Sequence, residues 1–140
     1  MAYSTQDDLL TMISQAELAA LSAETGDEPD AQVVAEAINR ADAEIDAACG
    51  LRYAVPLFPV PERVKSLSAD LAIYHLFSRR SAAPEVWRRK YQDGLAFLKL
   101  VAAGQATLAD SRGEPPAADR QSPDFISANR LFSRDTLGEW

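Results

Sequence analysis

Apolar residues recur at helical spacing along most of the first hundred positions. Val34, Ile38, Ala41, Ile45 and Ala48 follow at steps of four, three, four and three, which is one face of a helix over residues 30–49. Val64, Leu67, Leu71, Tyr74 and Phe77 predict a second helix over 61–80. Trp87, Tyr91, Leu95, Leu98 and Ala102 predict a third over 84–103. Two shorter helices precede these. Thr5, with an acid three residues on at Asp8, opens a stretch holding Leu9, Leu10, Met12 and Ile13. Ser14 and Glu17, at capping-box spacing, open another with Leu18 and Leu21.

The residues between these stretches agree with that division. Gly26-Asp27-Glu28-Pro29 breaks the chain, and Asp30 is a good N-cap for the helix over 30–49. Gly50 reads as a left-handed C-terminal cap, and Gly104 ends the last helix. Leu51 to Pro61 carries Pro56, Pro59 and Pro61, so it is an extended connection and at most an edge strand. The short turn Ser81–Pro84 makes the last two long helices antiparallel neighbours. The fold class is therefore all-α, a small bundle of about five helices with an extended C-terminal arm. Its expected core is Val34, Ile38, Ile45, Leu67, Leu71, Tyr74, Trp87, Tyr91, Leu95 and Leu98. Residues 1–104 form the helical domain and residues 105–121 a flexible linker, most polar from Asp110 to Gln121. Residues 122–140 form an arm holding Phe125, Ile126, Leu131, Phe132, Leu137 and Trp140, with no clean period.

A chain of 140 residues, 47% of them apolar, suits one domain with a packed core. No apolar run approaches the roughly 18–20 residues that span a bilayer, and Met1–Asp8 has no signal-like segment. A protein without membrane contact that stays soluble in the cell that makes it is the expectation. Cys49 is the only cysteine and reads as a small buried hydrophobe.

Charge is unevenly spread. Residues 1–50 hold eleven acids and one base, net −10. Residues 51–100 hold four acids and nine bases, net +5, and residues 101–140 hold six acids and four bases, net −2. An acidic front and a basic middle can neutralise each other within one fold or meet head to tail between subunits. The densest cations are Arg79-Arg80 and Arg88-Arg89-Lys90, on either side of the Ser81–Pro84 turn. Arg79 and Arg80 complement the negative C-terminus of their own helix. Together the five read as a solvated face, a protein contact or, less well at a pI of 4.6, a nucleic-acid contact.

No catalytic constellation is legible. His75 is the only histidine and reads as structural. Asp42, Glu44 and Asp46 alternate as in a calcium loop, but Ala47 stands where the loop glycine belongs and Tyr53 where the bidentate glutamate does. They read as a solvated helix face. No phosphate-binding glycine loop or dinucleotide fingerprint is present, so no cofactor and no metal are expected.

Several segments, taken in order, carry a resemblance. They are Met1-Ala2-Tyr3-Ser4-Thr5-Gln6-Asp7-Asp8-Leu9; Ile38-Asn39-Arg40-Ala41-Asp42-Ala43-Glu44-Ile45-Asp46; and Arg52-Tyr53-Ala54-Val55-Pro56-Leu57. Pro61 and Asp70-Leu71-Ala72 come next, then Arg89-Lys90-Tyr91-Gln92-Asp93-Gly94-Leu95 and Arg130-Leu131-Phe132-Ser133-Arg134-Asp135-Thr136-Leu137. Over nearly its whole length the chain resembles the Mu-like bacteriophage and prophage family of small proteins encoded among head and tail morphogenesis genes. The resemblance implies a head–tail connector, or adaptor, in the virion. Such a subunit would form a homo-oligomeric ring on the portal protein, with a tail-side neck protein below it and DNA passing without sequence-specific contact. Whether the isolated subunit is a monomer stays open, as does a stopper or tail-completion role. Arg79, Arg80, Arg88, Arg89 and Lys90, with Phe125, Ile126, Leu131, Phe132, Leu137 and Trp140, would face neighbouring subunits or the portal. A small DNA-binding regulator is the rival from another class. It would need base-reading polar residues at the start of a recognition helix, where Val86 and Trp87 stand instead. An enzyme with an unrecognised site would instead require a deep pocket of convergent titratable groups.

Overall fold

The computed structural model describes residues 2–81 and 83–108. The linker beyond residue 108 and the whole 122–140 arm, with Phe125, Ile126, Leu131, Phe132, Leu137 and Trp140, lie outside the described residues. The described residues form five helices and no strand: α1 (Gln6–Leu10), α2 (Gln15–Ser22), α3 (Ala31–Cys49), α4 (Glu62–Arg79) and α5 (Glu85–Ala102).

Local chemistry starts each helix where the sequence places it. The Thr5 hydroxyl accepts from the Asp8 amide while the Asp8 carboxylate accepts from the Thr5 amide, a reciprocal capping box. Ser14 Oγ accepts from Glu17 N at 3.2 Å, and Asp30 Oδ1 accepts from the amides of Gln32 and Val33. Pro61 and Pro84 precede α4 and α5 without a side-chain cap, in positions where the missing N–H costs nothing. Gly50 does end α3, but at φ −62° and ψ −15° it is right-handed and not the left-handed cap its sequence position suggests. Gly104 does take the left-handed conformation, φ +76°, and a Cβ there would collide with the Arg52 guanidinium, which donates to Ala103 O.

Helices α4 and α5 run antiparallel. Phe77 meets Trp87, Tyr74 stacks on Tyr91 with ring centroids 4.0 Å apart, Gly94 abuts Leu67, and Arg63 lies over Phe97. Gly94 lets the helices approach closely, since a Cβ there would fall 2.6 Å from Leu67 Cδ1. Helix α3 packs on α4 and α5, and α1 and α2 lie across α3 and α4.

The core departs from the one-faced pattern in α4. Val64, Leu67, Ser68, Ala69, Leu71, Ala72, Ile73, Leu76 and Phe77 are all buried, because all four other helices pack against α4. Of the expected core, Val34, Ile38, Ile45, Leu67, Leu71 and Leu98 are buried. Trp87, Tyr91 and Leu95 pack against the core but are only half-buried, because α5 turns Gly94, Leu98 and Val101 inward, and Tyr74 on α4 is half-buried against Tyr91.

Candidate functional site

Two features could serve function: a polar cluster where the N-terminal segment enters the bundle, and the outer surface formed by the α3–α4 loop and α5. The polar cluster is built on α3. Position 42 shares a helical row with Ile38, Ile45 and Cys49, so its side chain points inward. Asp42 is buried, and its Oδ2 accepts from the Tyr3 amide at 3.0 Å while Oδ1 accepts from Ser68 Oγ at 2.6 Å. Ser4 Oγ lies 2.7 Å from Ser68 Oγ and completes the chain as donor. One turn along α3, Asp46 accepts from the Tyr3 hydroxyl, and that hydroxyl accepts in turn from the Leu57 amide at 2.9 Å. Burial pushes the Asp42 carboxyl above the usual carboxylate range, against the opposing pull of its Ser68 and Tyr3 hydrogen bonds. Burial and the neighbouring Asp46 push the Tyr3 phenol up as well.

Sequence reasoning made Asp42, Glu44 and Asp46 a solvated face, and the structure corrects it. Asp42 and Asp46 pin the N-terminal segment and the α3–α4 loop. Glu44 reaches across to α4 and α5: its Oε1 is 2.5 Å from His75 Nε2, and its Oε2 accepts from the Tyr91 hydroxyl at 3.3 Å. The available signal was the row 38, 42, 45, 49, which sets one acid among apolar neighbours. His75 is partly buried and is held by Glu44. Cys49 is buried, with its thiol pushed up to about 11 by burial and then by Asp46.

A surface cleft of about 350 Å³ lies between α3 and α4 beside Glu36, Arg40, His75 and Arg79. Two of its titratable groups are engaged elsewhere. His75 is bound to Glu44, and Arg79 Nη1 donates to the carbonyls of Leu21 and Ser22.

The predicted basic cluster is drawn apart by local partners. Arg79 lies in the last turn of α4 and Arg80 is its C-cap residue, as expected, but their guanidinium groups turn to another helix. They reach the carbonyls of Leu21, Ser22 and Ala23 at the C-terminus of α2, where a cation complements that helix's dipole. Lys90 lies 3.8 Å from Asp70 Oδ1 and 4.6 Å from the Trp87 ring centroid. Arg88 and Arg89 are well exposed and share one acid, Glu85, at 3.9 Å each. These two are the cations of the five that the described residues leave most available to a partner.

Burial also pushes the Asp70 carboxyl up, opposed by Lys90 and Arg63, and its buried Oδ1 makes no hydrogen bond among the described residues. A carboxyl whose folded pKa is raised contributes stability below its unfolded pKa of about 3.9, and that contribution is lost as pH rises through the folded value. Asp70→Asn is therefore expected to be more stable than the parent at pH 7, with the difference shrinking as pH falls toward 4. Thermal melts across that range check this, and a difference that grows on acidification would show that the Lys90 pair outweighs burial.

Sequence reasoning did not single out the α3–α4 loop as a surface. Tyr53 and Leu57 are buried beneath it, while Leu51 and Phe58 are 71% and 77% exposed and Val55 is 40% exposed. Val86 and Leu100 on α5 are exposed too. The helix-turn-helix alternative is poorly served, since Val86 faces solvent and Trp87 packs on Phe77 where base-reading side chains would be needed. No described helix is long and apolar enough to cross a membrane.

Comparison with known proteins adds two findings. A family model described as Bacteriophage Mu, Gp36 matches residues 3–126. The Mu-like prophage FluMu protein gp36 of Haemophilus influenzae is 30% identical over 107 residues, covering 76% of this chain and 74% of that protein.

Proposed function

The chain belongs to the bacteriophage Mu Gp36 family, and from that premise we propose that it is a head–tail connector subunit, a structural part of the virion and not a catalyst. In this reading copies assemble as a ring on the portal around the DNA channel, above a tail-side neck protein. Residues 122–140 reach a neighbouring subunit or the portal. The observation that carries the reading is apolar surface outside the core of the described residues. Leu51, Phe58 and Val86 are more than half exposed. The 122–140 segment adds Phe125, Ile126, Leu131, Phe132, Leu137 and Trp140. Large apolar side chains left at the surface suit a contact that forms in an assembly.

The test is direct mixing with the portal. Negative-stain images are expected to gain ring-shaped density at one end of the portal. A portal that stays bare in the presence of folded chain overturns the connector role, and density only after another neck protein is added points to a stopper or tail-completion protein.

The exposed cations give a second readout. Individual surface pairs contribute about 0–1 kcal/mol, so Arg88 and Arg89 matter together or not at all. Reversing both to Glu is expected to weaken portal association roughly tenfold, about 1.4 kcal/mol, and high salt is expected to act in the same direction. Association indifferent to both changes would leave Arg88 and Arg89 as solvated surface.

A further inference from the structure

We infer that the outward face of the α3–α4 loop, formed by Leu51, Val55 and Phe58, is the docking site for residues 122–140 of a second copy of this chain. The inference rests on the connector reading and names the contact that would join neighbouring subunits.

The loop is built as a platform. It is held from below at three points: Leu57 N–H donates to the Tyr3 hydroxyl, Arg52 donates to Ala103 O, and the Tyr53 hydroxyl accepts from Leu108 N. Tyr53 and Leu57 supply its buried side, so Leu51, Val55 and Phe58 are left to face outward. Held in this way, the loop keeps its exposed phenylalanine outside the core that Tyr53 and Leu57 join.

The course of the chain then selects the occupant. Leu108 is buried beside Tyr53, so residues 109–140 set out from the edge of this platform. They first run through the polar stretch Asp110–Gln121, and large apolar residues begin at Phe125. From Leu108 to Phe125 is 17 residues (125 minus 108), a reach of up to about 60 Å at full extension. An arm bound for its own platform would need little of that length. A domain of this size is about 34 Å across, from a radius of gyration near 13 Å. Equivalent platforms on adjacent ring subunits would be separated by about that distance, which the linker covers. One copy's arm on the next copy's platform is a heterologous contact, which closes into a ring when the rotation per subunit allows.

The test uses the full chain in equal amounts of light and heavy isotope label, with Phe58 replaced by the photo-reactive analogue benzoylphenylalanine. After irradiation, peptides cross-linked to position 58 are identified by mass. About half of the links from position 58 to residues 122–140 are expected to join a light to a heavy peptide. The same analogue at the exposed Val86 should give few links to the arm. Same-label links alone would assign the platform to the chain's own arm and overturn the inference. Links only outside residues 122–140, or none, would overturn it equally. The connector reading is judged separately by ring density on the portal: density without these links fails the docking site alone, and links without density fail the connector role alone.

Discussion

Asp42→Ala is expected to destabilise the domain by about 2–5 kcal/mol, whereas Asp42→Asn should cost less than about 1 kcal/mol. Alanine leaves the Tyr3 amide buried without an acceptor and removes the partner of the Ser68 hydroxyl. Hydrogen bonds to charged groups contribute about 1.5–3 kcal/mol each, and an orphaned buried donor costs about 1–3 kcal/mol. Asparagine fits the same space. Its oxygen can accept from Tyr3 N, and its amide can donate to Ser68 Oγ while the Ser68 hydroxyl turns to Ser4, 2.7 Å away. It also removes a charge that burial disfavours. Denaturant melts of the two variants decide this, and equal losses would mean that the carboxylate's charge matters more than its hydrogen-bond geometry. A local effect should accompany the global one. Tyr3 joins Asp42 to the α3–α4 loop through the Leu57 amide, so that amide should exchange with solvent faster in Asp42→Ala.

That chain of contacts shows where sequence reasoning succeeds and where it stops. Helix starts depend on residues two or three positions apart, and Thr5, Ser14 and Asp30 act as their spacing implies. The antiparallel α4–α5 pair results from a short turn and two matching apolar stripes. The role of Asp42 depends on Tyr3 and Ser68, which are 39 and 26 positions away, and no local pattern carries that information. Arg79 and Arg80 show the same limit. They sit at the end of their own helix as expected, but their contacts with the end of α2, 57 and 58 positions away, are not legible locally. For the surface, Arg88 and Arg89 were legible because they are exposed on a regular helix. Leu51, Val55 and Phe58 were not, because in a proline-rich loop no period distinguishes the face that points inward. Only the burial of Tyr53 and Leu57 assigns the two sides.

Ile73→Ala is expected to cost as much as Leu71→Ala, about 2–5 kcal/mol each. The apolar stripe of α4 runs through Val64, Leu67, Leu71, Tyr74 and Phe77, and Ile73 falls outside it. A helix packed on one side only would leave Ile73 near solvent, and truncating it would cost less than about 0.5 kcal/mol. The structure gives both residues zero exposure, because α1, α2, α3 and α5 all pack against α4. Each truncation removes buried methyl groups and leaves a cavity that a helix held by four neighbours cannot collapse to fill. For a domain of about a hundred residues each kcal/mol lowers Tm by about 4–8 °C, so both variants should melt roughly 10 °C or more below the parent. Leu95→Ala, at a half-buried position on α5, should lose less than either. A large loss for Leu71→Ala beside a negligible one for Ile73→Ala would return α4 to the edge of the bundle. It would also remove the support beneath α1 and the N-terminal segment, on which the Tyr3 anchor and the loop above it depend.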